Sequence, residues 1–247
     1  MAGERVLILG GTGEARRLSE VLVAAGYHTI SSLAGVTQAP RLPPGEVRLG
    51  GFGGPKGIGA YLKREGIVAL LDVAHPFAVR ISRHAARAAC DTGVPIARLQ
   101  RPAWSPVGGE TWIDVASVAQ AAEVLPAGAR AMVTVGRKEI EPFILRRDIK
   151  GILRMIEPPE LAVPEGWHLV LERPPFTVET ESQTIQKYRI SHLVSKNSGG
   201  PETEAKLIAA RQLKIPIIVV ARPAKPRVPQ FSSHDEILQW LRATLSP

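Results

Sequence analysis

The chain has 247 residues, 45% of them hydrophobic and 22% charged, and a formal net charge of +8. That length suits one large or two small α/β domains, and the composition is that of a folded enzyme and excludes a disordered chain. A single cysteine, Cys90, excludes an intramolecular disulfide framework and a multi-cysteine metal site, and no apolar run reaches the ~18 residues a membrane span requires.

A soluble protein of the reducing cytoplasm is therefore expected, with no membrane partner. Excess positive charge calls for an anionic partner. Lys and Arg are dispersed without a basic block, and aromatic residues are only 5%. This argues against nucleic acid and for a nucleotide cofactor together with a polyanionic small molecule.

The opening segment is the most informative. Val6-Leu7-Ile8-Leu9 reads as a buried parallel strand, and it runs directly into Gly10-Gly11-Thr12-Gly13-Glu14 and a helical pattern. This is the layout of a nucleotide-binding βα turn, in which glycines let the backbone approach a ligand and the helix N-terminus receives a phosphate. Gly10, Gly11, Thr12, Gly13 and Glu14 are accordingly candidate cofactor residues. The fingerprint is a variant, because Arg16 stands where a third glycine is usual.

Along the chain, strands are expected near 5–9, 28–33, 46–49, 67–72 and 94–98, with helices near 14–25, 57–65 and 78–91. A second series has strands near 129–135, 152–156, 168–171, 190–195 and 216–221, and helices near 177–187, 201–213 and 234–245. Strands alternating with helices predict parallel sheets. Pro102, Pro106, Gly108, Gly109, Pro126 and Gly128 punctuate the middle, so the expected domains are 1–115, the nucleotide-binding half, and 116–247. Cys90, in an alanine-rich helix, is expected to pack as a small hydrophobe.

Ligands of such sheets bind beyond the carboxyl ends of the strands. After the second strand, Ser32, Gly35 and Thr37 lie where a carboxylate would hold a free ribose 2′-hydroxyl. Hydroxyls there, with Arg41 and Arg48 downstream, favour the 2′-phosphate of NADPH. Gly50-Gly51-Phe52-Gly53-Gly54 offers a glycine ligand loop, with Gly53 and Gly54 toward the cofactor. His75 follows the fourth strand as a candidate proton donor, and Arg80 as a carboxylate anchor. Arg101 suits a substrate carboxylate, and Trp104 a flat wall against a conjugated ligand or a packing role. Ser195-Lys196-Asn197-Ser198-Gly199-Gly200 enters the helix near Pro201 and reads as an anion site. There Lys196 is the catalytic and substrate-binding candidate, Asn197 a substrate contact, and Ser198 and Gly199 cofactor contacts. No metal-ligand constellation is present.

In combination, Ile8 to Ala15, Ser32 to Gly35, Gly50 to Gly54, His75-Pro76-Phe77-Ala78, Arg101 to Trp104 and Ser195 to Gly200 resemble the landmarks of the precorrin-6A reductase family of cobalamin biosynthesis, over nearly the full chain. Val73-Ala74-His75 departs from the Ala-Thr-His expected there. The resemblance implies two Rossmann-like domains with parallel sheets, an active site in an interdomain cleft, and a possible strand exchange between the domains. It also implies NADPH-dependent reduction of one C=C bond of precorrin-6A to precorrin-6B, with hydride passing directly to the ring and a proton from His75 or solvent. The competing readings are a cobalt-precorrin-6A reductase, an NADH-preferring member, and a non-catalytic tetrapyrrole or nucleotide-binding protein. A short-chain reductase is disfavoured, since Tyr27, Tyr61 and Tyr188 are followed four residues later by Ser31, Glu65 and His192 in place of lysine.

Overall fold

The computed structural model describes residues 3–34 and 42–246. The chain divides into two compact units, Met1–Pro102 with Pro223–Pro247, and Ala103–Arg222. In the first unit β1 (Arg5–Leu9), α1 (Gly13–Ala24), β2 (His28–Leu33), β3 (Glu46–Leu49), α2 (Pro55–Arg64), β4 (Ala69–Asp72), α3 (Val79–Thr92) and β5 (Ile96–Leu99) follow in order. The second unit holds β6 (Trp112–Val115), α4 (Val118–Glu123), β7 (Arg130–Thr134), α5 (Glu141–Ile144), β8 (Lys150–Met155), β9 (Trp167–Leu171), α6 (Val178–Lys187), β10 (His192–Lys196), α7 (Ala205–Gln212) and β11 (Ile217–Val220). The chain then returns to the first unit as β12 (Gln230–Phe231) and α8 (His234–Leu245).

Each sheet has six strands, ordered β12-β5-β4-β1-β2-β3 and β6-β11-β10-β7-β8-β9, with every pairing parallel. Read from β1 and from β7, the sheets run outward in both directions in the Rossmann manner, with strand order reversing between β1 and β4 and between β7 and β10. The sixth strands are exchanged. β6 follows β5 in sequence yet pairs with β11, and β12 follows β11 yet pairs with β5. A division at 115/116 is thereby corrected: the chain changes unit after Pro102 and again after Arg222, because β6, which lies before residue 116, pairs with β11, and β12, which lies after it, pairs with β5.

The apolar run of β1 is explained by burial on both faces. Val6 and Ile8 pack with Leu18 and Leu22 of α1 and Ile237 and Leu241 of α8. Leu7 and Leu9 pack on the other face with Ile58 and Leu62 of α2 and Ala85, Ala88 and Ala89 of α3. Cys90, one residue beyond Ala89, is rotated off that apolar stripe and is exposed, which corrects the expected packing role. The region read as one helix from 201 to 213 breaks in two. A 3₁₀ turn covers Pro201–Thr203, and α7 starts afresh at Ala205.

One ion pair fixes the carboxyl edge of the first sheet. Asp72 and Arg98 have side chains 0% and 4% exposed, and Arg98 Nε donates to Asp72 Oδ2 at 2.9 Å. Arg98 also donates through Nη1 to the Pro226 carbonyl at 3.0 Å, and its backbone N–H to that of Pro229 at 2.8 Å. The pair therefore welds β4, β5 and the returning chain. Removing one partner strands a buried charge, so Asp72→Ala is expected to cost about 3–5 kcal/mol in urea unfolding. A loss below about 1 kcal/mol would show the pair to be dispensable.

Candidate functional site

A cavity of about 600 Å³ opens at the carboxyl edge of the first sheet, where its strand order reverses. It is lined by Leu9 to Thr12 after β1, Ser32 and Ala34 at the end of β2, Gly50 to Gly54 after β3, Ala74, His75 and Ala78 after β4, and Arg80, Ile81 and His84 of α3. Thus Gly10, Gly11, Thr12, Ser32, Gly53, Gly54, His75 and Arg80, drawn from three loops, a strand end and a helix, share one concavity. Gly35, Thr37 and Arg41 fall outside the described residues.

The two glycines after β1 do different work. A Cβ on Gly10 would lie 2.3 Å from the Ala15 Cβ, so Gly10 is required for α1 to pack on the strand exit. A Cβ on Gly11 would meet nothing within 4 Å, which makes Gly11 an open cradle beside the cavity. Thr12 is the N-cap of α1: its hydroxyl accepts from Ala15 N at 3.2 Å and donates to the Val73 carbonyl at 3.2 Å. The capping hydroxyl is thus spent on the fold, and the first-turn backbone N–H groups are what a ligand meets.

Glu14 and Arg101 were separate expectations, for cofactor and substrate respectively, and the structure joins them to each other. Their side chains form a short ion pair across 87 residues of sequence. Burial pushes the Glu14 carboxyl up, but the Arg101 charge and hydrogen bond outweigh it and hold the carboxyl below its ordinary value. Arg101 thereby neutralises a carboxylate at a helix N-terminus intended for anions. Arg48, at the end of β3, organises the glycine loop. It donates to the carbonyls of Gly50 and Gly51 at 2.6 and 2.7 Å, approaches Ser32 Oγ at 3.4 Å, and lies 3.7 Å over the Phe52 ring. At His75, Nδ1 accepts from the Phe77 backbone N–H at 3.3 Å. A ring nitrogen that accepts is unprotonated, so the proton of the neutral imidazole sits on Nε2.

Lys196, Asn197, Ser198 and Gly199 lie in the second unit, at the carboxyl end of β10. Lys196 is ion-paired with Glu139 of the loop after β7, at the reversal point of that sheet. Asn197 is buried, and its amide is committed to Trp104: Oδ1 accepts from the backbone N–H and Nδ2 donates to the carbonyl, both at 2.8 Å. The Asn197 side chain is thus fixed in its loop by Trp104. Trp104 itself is buried in the second core, with Nε1 donating to the Gly200 carbonyl at 3.2 Å. Arg222 holds the same loop through the carbonyls of Asn197 and Ser198. Because Pro201 opens a 3₁₀ turn and Glu204 caps α7, no α-helix dipole is aimed at Gly199, contrary to expectation.

The model of the family "Precorrin-6x reductase CbiJ/CobK" matches residues 5–242. The chain belongs to this family. A relative named precorrin-6A reductase, from Rhodococcus erythropolis, is 46% identical over 235 residues, 94% of each chain. The solved structure of "CobK precorrin-6A reductase" superposes with a TM-score of 0.93 at 38% identity, over 98% of both chains. A relative from Priestia megaterium named cobalt-precorrin-6A reductase is 26% identical over 250 residues, 96% of this chain and 97% of its own.

His84 and Ile81 were not singled out from sequence. They follow Arg80 on one side of α3, and the i, i+4 spacing of Arg80 and His84 was the available signal. Among the described residues, no cluster of three or more His, Cys, Asp or Glu is placed to hold a metal ion.

Two predictions follow from this geometry. Gly10→Ala should destabilise by about 1–3 kcal/mol through overpacking, while Gly11→Ala leaves the melting temperature within a degree or two; equal melts for both would refute the distinction. For Glu14, a pKa lowered in the folded state means stability that is present above the unfolded value and is lost as pH falls through the folded one. The stability gap between the wild type and Arg101→Ala, read by urea unfolding, should be full at neutral pH and close on acidification through the carboxylate range. A gap that is independent of pH would contradict the pairing.

Proposed function

We propose that the protein reduces precorrin-6A with NADPH, adding hydride across one C=C bond of the macrocycle to give precorrin-6B in cobalamin biosynthesis. The observation that carries this reading is the glycine-walled cavity at the strand-order reversal of the first sheet, opening at the N-terminus of α1, in a chain of this family. Gly11 and the first turn of α1 would hold the pyrophosphate, with Gly53 and Gly54 on the opposite wall. Ser31, Ser32, Leu33 and Ala34 supply no carboxylate at the end of β2, and the Arg48 guanidinium lies beside Ser32; this supports a 2′-phosphate and hence NADPH over NADH. Thr37 and Gly35 belong to the same reading of the β2 loop. A reducing cytoplasm suits the exposed thiol of Cys90.

When bound, the nicotinamide supplies the hydride. The chain's own part is to hold both reactants dry and aligned and to meet the charge that develops on the ring. His75 offers Nε2–H for that purpose. Because its Nδ1 already accepts from Phe77, the ring acts as a hydrogen-bond donor and solvent supplies the proton. Lys196, held by Glu139, and Arg80 on the cavity wall are cations suited to the substrate's peripheral carboxylates. A chain with 31 Lys and Arg against 23 Asp and Glu also draws such a polyanion in.

The test is anaerobic incubation with precorrin-6A and either NADPH or NADH, followed by macrocycle absorption and product mass. The expected result is a gain of two hydrogens, with kcat/KM at least tenfold higher for NADPH. Turnover of the cobalt-containing ring alone would replace the metal-free substrate. Binding of ring and nucleotide without spectral change would replace catalysis by a binding function.

A further inference from the structure

The turn that carries His75 is held both by local hydrogen bonds and by side chains from distant parts of the chain. Thr12 Oγ1 donates to the Val73 carbonyl, and Ala74 N–H donates to Asp72 Oδ1 at 3.3 Å. The next two carbonyls are met by one side chain. Lys225 Nζ donates to Ala74 O at 3.3 Å and to His75 O at 3.1 Å, from 151 and 150 residues away in sequence. His75 O also accepts from Ala78 N–H at 2.8 Å.

Lys225 lies in the stretch between β11 and β12, where Pro223, Pro226 and Pro229 recur every third residue and restrict the backbone. Two of these prolines are anchored as well, since the carbonyls of Pro226 and Pro229 both accept from Arg98. Lys225 is therefore presented from a stiff segment pinned at the next residue, and its ammonium has two acceptors within reach. A lysine held this way orients a backbone turn more firmly than one reaching from a mobile loop, because little rotamer and chain freedom remains to be lost.

We propose that Lys225 is a positioning residue for the reduction: by holding the Ala74 and His75 carbonyls it sets the direction of the His75 Nε2–H toward the reacting ring. This rests on the reading of His75 as a donor in the cavity. Without Lys225, the turn retains its bonds to Thr12, Asp72 and Ala78 and the imidazole its bond from Phe77, so the fold survives while the backbone that carries the imidazole is held less firmly. A misplacement of about 1 Å in a catalytic donor costs on the order of 100-fold in rate at the upper end. Binding of the nucleotide, made by the α1 turn and the β3 loop, does not depend on it.

The test is a set of full-chain variants, Lys225→Met, Lys225→Arg, His75→Ala and Lys225→Met with His75→Ala, assayed with precorrin-6A and NADPH. Thermal melts and NADPH titrations by fluorescence accompany the rates. Lys225→Met is expected to lower kcat tenfold or more while the NADPH dissociation constant stays within twofold, and Lys225→Arg to recover most of the rate. In the His75→Ala background, Lys225→Met should add less than a twofold loss, because the group it positions is gone. If Lys225→Met slows both backgrounds by the same factor, or lowers only the melting temperature, Lys225 does not act through His75. A wild-type rate for His75→Ala would instead bring down the donor reading itself, and this proposal with it.

Discussion

Asp72 is fully buried at the end of a central strand, and a carboxylate there is tolerable only if its partner is equally fixed. Arg98 is that partner, and its Nη1 and backbone N–H reach the returning chain at Pro226 and Pro229. One ion pair thus decides three things: that β4 and β5 end in register, that the last strand closes on β5, and that the turn after β4 starts from a fixed point. The other carboxyl oxygen of Asp72 takes the Ala74 N–H, so the same group that secures the sheet also shapes the turn leading to His75. Stability and site geometry are coupled through it.

The two sheets show how one topology serves different chemistry. One reverses strand order beside β1 and the other beside β7, and both place a glycine there. Gly10 is followed by an α-helix whose first turn is open to a ligand. Gly136 is followed by a loop whose Glu139 turns back to Lys196 and to the Gly136 N–H at 3.3 Å, so a carboxylate of the chain occupies the place where an incoming anion would otherwise find the backbone. The nucleotide reading accordingly rests on the first sheet, and in the second the cation Lys196 is tethered by Glu139.

Most of this fold was legible because buried parallel strands announce themselves as continuous apolar runs, and helices α1, α3, α6 and α8 as regular spacings between them. What escaped was decided by partners distant in sequence. β6, Trp112–Val115, is four residues among prolines and glycines, and β12 is two residues; both are strands only because a sheet edge receives them. The candidate site followed the same division. Gly11, Ser32 and His75 were visible from their places at strand ends and Arg80 from the start of the helix that follows, and they do share the cavity. The pairings Glu14 with Arg101, Asn197 with Trp104, and Lys225 with the His75 turn join residues 87 to 151 apart, and no local pattern encodes which polar groups satisfy each other.

The nucleotide is proposed to sit at the carboxyl edge of the first sheet, and amide hydrogen exchange of the whole protein with and without saturating NADPH tests this. New protection is expected in peptides covering 10–15, 50–54 and 73–78, with little change across 135–140. Protection confined to the second unit, or spread evenly over both, would contradict it.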